Sequence, residues 1–501
     1  MVIRRQIKEI INKAIKSKID FVVEAPQEKS FGDYATNVAM LLAKKKSPIE
    51  VAGEIKLKIK TDLFEKIEIV KPGFINFFLK DSFLQNQVKE IIKGSKINIG
   101  KGKKIQVEFI SANPTGPLTI ANARGGPMGD VLANVLNKAG FKVEKEYYVN
   151  DSGNQILSLG NSVLGNKEGE YKGEYINKLN IKEKDPFKAG QKAAKLITEK
   201  LIKKTIDKLG VKYDKWFFES SLDIKKTIDI LKRKKLTYEK EGALWFKSSK
   251  FGDNRDRVLI KKDGLYTYLA DDIAYHLDKF KIRKFDKVIN ILGADHHGDV
   301  PSLMAGVDAI GFKGKLEIIL HQFVTIIKNG KQIRMSKRKG NFETLDDLLK
   351  EVGSDSVRFF FLMHSANRHM EFDLDLAKEK SQKNPVFYIQ YAYARINSIL
   401  KKAKPKNPNL KLLNHPSELD LIKQLIKLPE IIEDTVKDYQ VQRLPHYAME
   451  VASAFHRFYT DCKVLGDYKE MENARLSLVL ATKTVLEEIL DLMGISKPKK
   501  M

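Results

Sequence analysis

The spacing of hydrophobic residues changes along the chain and divides it into three predicted regions. In the first, residues 1–95, apolar positions three or four apart give way to short segments in which every second residue is apolar. These patterns predict helices over 3–19, 34–45 and 48–60, and strands over 66–70 and 74–79. A lysine- and glycine-rich segment at 93–104 predicts a linker. We therefore expect a small N-terminal α+β domain.

The second region, residues 96–380, alternates between strand and helix patterns. The predicted strands cover 105–110, 142–149, 288–292 and 317–320, and the predicted helices 122–140 and 300–311. Strands separated by helices are typical of a doubly wound parallel sheet, whose ligands bind at the carboxyl ends of the strands. Residues 151–256 are lysine-rich, mainly helical in pattern and contain both tryptophans, so we interpret them as an insertion.

The third region, residues 381–501, has only helical periodicity. Its predicted helices cover 385–400, 419–428, 429–439, 444–465 and 471–492. A linker rich in proline, asparagine and lysine, residues 404–409, separates the first of these helices from the others. We therefore expect an all-helical C-terminal domain.

The composition indicates a class of partner and agrees with the predicted fold. A chain of 501 residues with 43% hydrophobic residues is long enough for several domains with ample cores. Lysine and arginine outnumber the acidic residues 90 to 64, which gives a net charge of +26. Any single lysine cluster is explained by a solvated surface. A total excess of this size favours a polyanionic partner. Because a nucleic-acid-binding module alone needs no such core, an enzyme that acts on nucleic acid is favoured.

Cysteine and histidine usage limits the remaining chemistry. Cys462 is the single cysteine, so no intramolecular disulfide can form, and a reducing cytoplasm is the expected compartment.

No run of 18 apolar residues predicts a membrane span. The basic N-terminal segment contains Glu9 and lacks a serine-rich tail, so we interpret it as a surface helix rather than a transit peptide. His296 and His297 have no third ligand at zinc-binding spacing, so no metal site is predicted.

Two segments have the residues of a phosphate site. Residues 107–129 place a turn rich in proline, glycine and asparagine between a predicted strand and a predicted helix. Unpaired backbone N–H groups converge at such a turn and bind anions, which predicts nucleotide phosphates as ligands. The second segment is IRMSKRKGN, residues 333–341. A basic loop of this kind can close over phosphates and neutralise the charge of a leaving group.

Acidic residues in the same region indicate a cationic substrate. Glu108 lies on the first predicted strand, Asp272 lies in TYLADDIAYH, and Asp295 lies in LGADHHG. Carboxylates hold a guanidinium group especially well because its planar N–H groups match them in pairs. A compound that carries a guanidinium group is therefore the expected ligand.

Together, SANPTGPL, TYLADDIAYH, LGADHHG, RMSKRKGN and NPVFYIQYAYARINSIL resemble the motifs of class I arginyl-tRNA synthetases. The resemblance implies a Rossmann-type α/β catalytic domain with a helical insertion. It also implies a small N-terminal α+β domain that binds the tRNA elbow and an all-α helical-bundle domain that binds the anticodon. The expected domains are residues 1–95, 96–380 with the insertion at 151–256, and 381–501.

The reaction implied by the resemblance joins L-arginine and ATP to give arginyl-adenylate and pyrophosphate. Arginine is then transferred to the 3′ end of its tRNA, and members of the family generally need that tRNA for the first step as well. ATP arrives with Mg²⁺ as a substrate complex, and no tightly bound cofactor is implied. We expect a cytoplasmic monomer with no membrane partner.

The resemblance also implies the site residues. For arginine they are Glu108, Ser111, Asn113, Tyr268 and Asp272. For ATP they are Pro114, Thr115, Gly116, Thr119, Ala121, Asn122, Arg124, Gly293, Asp295, His296, Arg334, Met335, Ser336 and Lys337. The catalytic residues among them are Thr119, Asn122, Ser336 and Lys337, with Lys337 in the main electrostatic role. For tRNA they are Phe74, Asn76, Tyr388, Gln390, Tyr391 and Arg395, although Tyr391 fits a helix core position equally well.

One segment departs from the family pattern. Where the family usually carries H-x-G-H, this chain has Thr119-Ile120-Ala121-Asn122. Threonine and asparagine can still donate hydrogen bonds to phosphate oxygens, and asparagine suits a helix N-cap. Ala121 adds a methyl group where glycine lets the backbone approach adenine closely. We expect an active enzyme with an altered phosphate site, and the alternative is a weakened or inactive tRNA-binding relative.

Two other functions agree less well with the sequence. A class I synthetase for cysteine would be expected to offer thiolates for zinc, whereas Cys462 lies alone in the helical region. A nucleotidyltransferase that does not act on tRNA would leave the helical C-terminal region and the large positive charge unexplained.

Overall fold

The computed structural model describes residues 2–17, 19–333 and 344–501. Its strands are β1 (Val23–Glu24), β2 (Tyr34–Thr36), β3 (Phe64–Val70), β4 (Phe74–Leu79), β5 (Lys104–Phe109), β6 (Lys142–Val149), β7 (Lys215–Phe218), β8 (Thr237–Lys240), β9 (Ala243–Phe246), β10 (Arg257–Ile260), β11 (Lys287–Gly293), β12 (Leu316–His321), β13 (Val324–Lys328), β14 (Lys331–Ile333) and β15 (Met370–Asp373).

The first half of the helices comprises α1 (Ile3–Ile15), α2 (Val38–Leu42), α3 (Pro48–Lys58), α4 (Asp81–Ile92), α5 (Ile120–Ala123), α6 (Gly125–Lys138), α7 (Gly153–Leu164), α8 (Glu174–Lys178), α9 (Pro186–Ile197) and α10 (Lys203–Lys208). The second half comprises α11 (Ile224–Arg233), α12 (Tyr268–Leu277), α13 (Val300–Ala309), α14 (Leu345–Leu362), α15 (Leu374–Lys378), α16 (Pro385–Lys402), α17 (Pro416–Leu425), α18 (Leu428–Asp438), α19 (Arg443–Asp461) and α20 (Lys469–Met493). None of the described helices has the length and hydrophobicity to cross a membrane.

The N-terminal region contains a four-stranded antiparallel sheet in the order β1-β2-β4-β3, with α1 to α4 around it. The predicted helix over 34–45 is wrong in its first part, because Tyr34–Thr36 pairs with β4. Tyr34 and Thr36 are buried, as expected for alternate residues of a strand that is covered on one face. Pairing between distant strands therefore overrides the local helical spacing.

The central region is built on a five-stranded parallel sheet in the order β12-β11-β5-β6-β7. β5 lies in the middle, and Val107 and Phe109 on it have no exposed surface. Runs of apolar residues such as these are typical of parallel strands with helices on both faces. The carboxyl ends of β5 and β11 are therefore adjacent, and a ligand site is expected there.

The insertion contains more strands than its helical pattern indicates. β7 joins the edge of the parallel sheet, and β8, β9 and β10 form a separate antiparallel sheet in the order β10-β9-β8. The π-helical turns Thr198–Ile202 and Asp278–Ile282 follow α9 and α12 directly. A third small sheet, β14-β13-β15, precedes the helical region.

The C-terminal region consists of α16 to α20, and no strand lies among its described residues. One continuous hydrophobic cluster includes Val38 near the N-terminus, Val107 in the parallel sheet and Leu486 in α20. The predicted fold class, an α/β catalytic region between a small α+β region and a helical bundle, is confirmed.

Ion pairs join the N-terminal region to the helical bundle. The guanidinium group of Arg4 on α1 donates to Asp434 Oδ1 at 2.7 Å, and its backbone N–H donates to Glu430 Oε1 at 2.8 Å. Tyr34 donates its hydroxyl hydrogen to the same Glu430 oxygen at 3.0 Å. Lys423 Nζ lies 2.9 Å from Asp33 Oδ1. The two ends of the chain are thus in direct contact.

Candidate active site

An acidic cavity of about 390 Å³ opens at the carboxyl ends of β5 and β11. Its lining includes five carboxylates, those of Glu108, Glu219, Asp271, Asp272 and Asp299. No lysine or arginine lines it within the described part of the chain. In a protein of net charge +26, such a concentration of acids favours the binding of a cation at this cavity.

The turn after β5 brings Ser111 and Asn113 to this cavity. Ile110 and Ser111 have φ angles of 66° and 39°, a left-handed conformation that is unusual for residues other than glycine. Hydrogen bonds fix the turn: Tyr147 Oη donates to the Ala112 carbonyl at 2.8 Å, and Ser111 Oγ accepts from the Tyr148 N–H at 3.1 Å. The geometry therefore holds both predicted arginine contacts beside Glu108.

Helix α12 supplies the opposite wall. Tyr268, Asp272 and Tyr275 lie on one face of this helix and line the cavity, because residues three and four apart are neighbours on a helix surface. Tyr268 is the first residue of the helix and is 58% exposed. The structure thus brings together all five residues predicted to bind arginine.

The sequence patterns did not indicate three of the acids, Glu219, Asp271 and Asp299. Glu219 is buried, and it accepts hydrogen bonds from the Tyr148 hydroxyl at 2.8 Å and from the Ser152 hydroxyl. It directly follows the apolar residues of β7, which end at the same edge of the sheet as β5. Glu219 could therefore have been predicted from the sequence as an acid that directly follows a run of apolar residues.

Burial and the charges of neighbouring acids raise the pKa values of Asp272, Asp271 and Glu219. Burial, followed by the charges of Glu108 and Asp271, raises the pKa of Asp272 to about 8. Burial and the Glu219 carboxylate raise the pKa of Asp271 to about 7. Burial also raises the pKa of Glu219. A cationic ligand would favour the charged form of all three groups.

A second cavity, of about 380 Å³, adjoins the first, and Asn113 lines both. The residues around it are Ala112, Asn113, Thr115, Gly116, Pro117, Leu118, Thr119, Asn122, Tyr171, Lys172, Tyr175 and Thr344. Tyr175 Oη donates to the Thr115 carbonyl at 2.8 Å and holds this turn from outside. Lys172, which was not predicted, is the one basic residue among the described lining.

Thr119 and Asn122 form a reciprocal cap at the start of α5. The Asn122 N–H donates to Thr119 Oγ1 at 3.3 Å, and the Thr119 N–H donates to Asn122 Oδ1 at 3.2 Å. The Thr119 hydroxyl also donates to Asn122 Oδ1 at 2.6 Å. The N-cap is therefore Thr119 rather than Asn122, because only Thr119 precedes the helix. The side-chain nitrogen of Asn122, Nδ2, takes no part in the cap.

The neighbouring predicted ATP contacts occupy different environments. Pro114 is buried, Ala121 is half-buried within α5, and Thr115 and Gly116 line the second cavity. Arg124 has no exposed surface, and its guanidinium group donates to the carbonyls of Gln322 at 2.6 Å and Ser365 at 3.0 Å. Burial lowers the pKa of Arg124 to about 10. This geometry does not support the prediction that Arg124 contacts ATP, because the side chain lines neither cavity and is committed to backbone carbonyls.

The end of β11 bears the remaining predicted contacts to adenosine. Gly293 and His296 line the acidic cavity, and Asp295 is exposed beside them. His296 Nδ1 lies 3.6 Å from Asp299 Oδ2. Within the described residues, no group of three or more histidines, cysteines and acids is arranged to hold a metal ion.

The basic loop falls in a gap between described residues. Arg334, Met335, Ser336 and Lys337 lie outside the part of the chain that the structure describes. β14 ends at Ile333 before this gap, and Thr344 follows it. Thr344 lines the second cavity and pairs with Thr119 in an isolated antiparallel bridge.

Three family models match the chain. "Arginyl tRNA synthetase N terminal domain" matches residues 1–79, "tRNA synthetases class I (R), catalytic domain" residues 166–373, and "DALR anticodon binding domain" residues 389–501. The arginine–tRNA ligase of Caldanaerobacter subterraneus subsp. tengcongensis is 43% identical to the chain, and the match covers 99% of each protein. The chain belongs to the arginyl-tRNA synthetase family.

Other comparisons agree with this assignment. The arginine–tRNA ligase of Bacillus subtilis is 41% identical over the full length of both chains. The crystal structure of the arginyl-tRNA synthetase from Plasmodium falciparum has the same fold, with a TM-score of 0.82, 20% identity and coverage of 100% of this chain and 99% of that one. The predicted enzyme class, an aminoacyl-tRNA ligase, is confirmed, and nothing in these comparisons supports an inactive relative.

Phe74 and Asn76, the residues of this synthetase predicted to contact the tRNA elbow, differ in exposure. Phe74 is 37% exposed at the start of β4, so its ring is available to stack on a base. Asn76 is 2% exposed in the middle of the same strand. The structure does not support an RNA contact by Asn76, because its side chain is covered by the surrounding protein.

Helix α16 carries the predicted anticodon-domain contacts. Arg395 lies between two aromatic rings, 4.6 Å from the Tyr391 centroid and 4.8 Å from the Tyr459 centroid. Tyr388 packs on His456 with ring centroids 4.8 Å apart. Gln390 Nε2 donates to Asp355 Oδ2 at 2.8 Å and so joins α16 to α14. Gln390 therefore already has a structural partner, whereas Arg395 and Tyr391 form a half-buried stack that reaches the surface.

Proposed function

We propose that this synthetase binds L-arginine in the acidic cavity and ATP at the second cavity, forms arginyl-adenylate, and transfers arginine to the 3′ end of its tRNA. The observation that carries this proposal is a cavity lined by five carboxylates, and by no lysine or arginine within the described part of the chain, in a strongly basic protein. A side chain with a permanent positive charge is the ligand that this arrangement favours.

The guanidinium group of arginine is proposed to lie among Asp271, Asp272 and Glu219, with Tyr268 over the entrance. Planar guanidinium N–H groups can donate in pairs to carboxylates, whereas the ammonium group of lysine cannot match that geometry. A site whose buried polar groups require such a partner rejects a ligand that lacks it. Discrimination against lysine therefore follows from the same residues that provide affinity.

Glu108, Ser111 and Asn113 are proposed to bind the backbone end of the substrate. Asn113 lines both cavities, so the substrate carboxylate bound near it would face the α-phosphate of ATP. The carboxylate oxygen attacks that phosphorus, a new C–O–P bond forms, and the bond to pyrophosphate breaks. No protein nucleophile is needed, since the protein positions the reactants and neutralises charge. A hydroxyl group of the terminal ribose of tRNA then attacks the carbonyl carbon, and AMP leaves.

The phosphates are proposed to lie beside Thr119, Asn122 and Lys172, with adenosine towards Gly293, Asp295 and His296. The cap geometry supports this role, because it leaves the side-chain nitrogen of Asn122, Nδ2, as a donor. Pro114, Thr115 and Gly116 would form the backbone floor, and Ala121 would bring its methyl group near adenine. Arg334, Met335, Ser336 and Lys337 remain proposed contacts to the leaving pyrophosphate, with Lys337 in the main role.

Mg²⁺ is proposed to enter with ATP as a substrate complex, with no resident cofactor. The tRNA is proposed to contact Phe74 at one end of the molecule and Tyr388, Tyr391 and Arg395 at the other. The positive charge of the whole chain supports a polyanionic partner. A monomer in the cytoplasm completes the proposal, and the single buried cysteine agrees with a reducing compartment.

A charging assay tests this function. Transcribed arginine tRNA is incubated with ATP and each labelled amino acid in turn, and tRNA-dependent pyrophosphate exchange is followed with arginine and ATP at saturation. We expect charging with arginine and not with lysine, and loss of most activity in Lys337→Ala. Absence of both charging and exchange in the wild-type protein would instead favour a tRNA-binding relative without catalysis.

A further inference from the structure

Lys279 is a buried lysine beneath the acidic cavity. It lies in the π-helical turn that follows α12, and its side chain is 0% exposed. Its ammonium nitrogen is 2.6 Å from Glu108 Oε2, 3.3 Å from Asn290 Oδ1 and 3.9 Å from the centroid of the Tyr275 ring. A buried ammonium group is tolerated only with partners of this kind, because an unpaired buried charge is very costly.

The partners of Lys279 belong to the cavity, although Lys279 does not. Glu108, Tyr275 and Asn290 all line the acidic cavity, and Lys279 lies behind them. A ligand in the cavity therefore meets the three residues that Lys279 holds and not its ammonium group. Any effect of Lys279 on binding must act through these neighbours.

A chain of hydrogen bonds extends the influence of Lys279 to α12. Because an ammonium group can only donate, the Asn290 oxygen must face Lys279, and the Asn290 amide nitrogen faces His276 Nε2 at 3.1 Å. Nε2 then accepts, so the proton resides on Nδ1, which donates to the Asp272 carbonyl at 2.8 Å. One fixed donor thus orients Asn290, selects the tautomer of His276 and secures the backbone of Asp272.

The charges around Lys279 show that Glu108 is its main counter-ion. The other nearby carboxylate, Glu146, is bound by Arg283, whose Nη2 lies 2.9 Å from Glu146 Oε1, and by the Tyr275 hydroxyl. Burial lowers the pKa of Lys279, and the Glu108 and Glu146 carboxylates oppose that shift. Lys279 is the only cation bonded to Glu108 among the described ion pairs.

We propose that Lys279 is a positioning residue for arginine, which holds Glu108 and, through Asn290 and His276, Asp272 in the geometry that binds the substrate. Lys279 already balances Glu108, and the fifth carboxylate, Asp299, is exposed beside His296. The carboxylates left to pair with a cationic ligand are therefore Asp271, Asp272 and Glu219. The cavity therefore directs the cationic side chain of its ligand to that end. This inference rests on the proposed function of the cavity.

The test compares steady-state charging by the full-length wild-type protein and Lys279→Met, which has a similar length and no charge. We expect the KM for arginine to rise about 10- to 100-fold, as for the loss of a hydrogen-bonded charge, while the KM for ATP stays the same. An unchanged KM for arginine in folded Lys279→Met would overturn the proposal. A purely structural defect would lower the amount of active enzyme without separating the two KM values.

A double variant keeps the test informative if Lys279→Met unfolds. Glu108→Gln/Lys279→Met removes both charges together, so no unpaired buried charge remains. We expect its Tm to return towards the wild-type value while its KM for arginine exceeds that of Glu108→Gln alone, since Asn290 and His276 lose their fixed donor as well. A double variant with a KM for arginine no higher than that of Glu108→Gln would show that Lys279 does not position Asp272 and would overturn the proposal.

Lys145→Met is the matched control. Lys145 Nζ lies 2.6 Å from the mostly buried carboxylate of Asp130, and neither residue lines the cavity. We expect this variant to lose stability with no change in the KM for arginine; an equal rise in that KM would count against a specific role of Lys279. If the wild-type protein does not charge tRNA with arginine, the proposed function fails, and calorimetric titration with free arginine then tests Lys279 separately.

Discussion

Thr119 and Thr344 pair in an antiparallel bridge, although they are far apart in sequence. Beside the bridge, the Leu345 N–H donates to the Leu118 carbonyl at 2.9 Å. Thr119 caps α5 and Thr344 caps α14, so two helix starts meet at the second cavity. The end of the segment that contains the basic loop is thereby anchored next to the proposed phosphate contacts.

Removal of the Thr119 hydroxyl should weaken ATP binding selectively. Thr119→Ala loses the reciprocal cap that positions Asn122. We expect roughly a fivefold rise in the KM for ATP, which corresponds to about 1 kcal/mol, the net worth of one hydrogen bond. The KM for arginine should not change, because Thr119 does not line the acidic cavity. Pyrophosphate exchange at varied ATP measures the first KM, and exchange at varied arginine measures the second. Thr119→Ser keeps the hydroxyl and serves as the control, and equal values for the alanine and serine variants would contradict the prediction.

Lys172→Ala should also raise the KM for ATP. Lys172 is the one basic residue that lines the second cavity within the described residues, so its loss removes a positive charge near the proposed position of the phosphates. We expect an increase on the order of 10-fold, typical of one charge-assisted contact. Lys178→Ala, in the nearby helix α8, removes a lysine that instead pairs with Glu174 at 3.0 Å. An equal rise in the KM for ATP in both variants would show that the effect comes from the net charge of the protein rather than from a contact made by Lys172.

Arginine binding should strengthen as the pH rises. The pKa of Asp271 is about 7 and that of Asp272 about 8, so both are largely protonated at pH 6 and ionised at pH 9 in the empty cavity. A guanidinium group binds the ionised forms more tightly, so binding releases protons and the Kd falls across this interval. Titration calorimetry in buffers of different ionisation enthalpy measures the protons released. No proton release at pH 7 would contradict the prediction.

The same acids should destabilise the empty enzyme at high pH. Since the pKa of Asp272 is higher in the folded than in the unfolded protein, the folded state binds this proton more tightly, and stability is lost as the pH rises through about 8. Asp272→Asn should therefore raise the free energy of unfolding at both pH values, and by on the order of 2 kcal/mol more at pH 9 than at pH 6. Thermal melts at both pH values test this. Saturating arginine should abolish the higher stability of Asp272→Asn relative to the wild type, because arginine stabilises only the wild-type site.

tRNA binding should depend steeply on salt, with Arg395 as one contributor. Many phosphate contacts make the logarithm of the affinity fall in proportion to the logarithm of the salt concentration. Arg395→Gln should weaken tRNA binding and reduce this slope by about one unit. Arg443→Gln is the control, since Arg443 in the same bundle pairs with Asp438. A salt-independent Kd in the wild-type protein would count against the polyanionic partner.

The sequence predicts the elements whose patterns are local. The predicted strand 142–149 coincides with β6, and the predicted helix 385–400 differs from α16 by two residues at one end. The first part of the predicted helix 34–45 is a strand, and β7 lies inside a segment that was interpreted as mainly helical. Both strands depend on partners elsewhere in the chain, which local spacing does not reveal.

Site residues in local motifs could be predicted from the sequence, whereas those that depend on distant neighbours could not. Glu108, Asp272 and Asn113 were identifiable because they lie in motifs, and the structure brings them together. Lys279 was not identifiable, because a lysine in a helical segment predicts a solvated surface until its neighbours are known. Arg124 lies next to a motif, yet its guanidinium group is buried among backbone carbonyls. Proximity in sequence to a motif thus does not determine where a long side chain points.

The ion pairs between Arg4 and Asp434 and between Asp33 and Lys423 have a further consequence for substrate choice. They hold the N-terminal region, which bears Phe74, against the helical bundle, which bears Arg395. A tRNA that contacts both residues, as proposed, would need an elbow and an anticodon separated by a matching length. Selection by overall tRNA dimensions would then accompany selection by individual bases, and a tRNA lengthened by one base pair in the anticodon stem should be charged more slowly even with every contacted base intact.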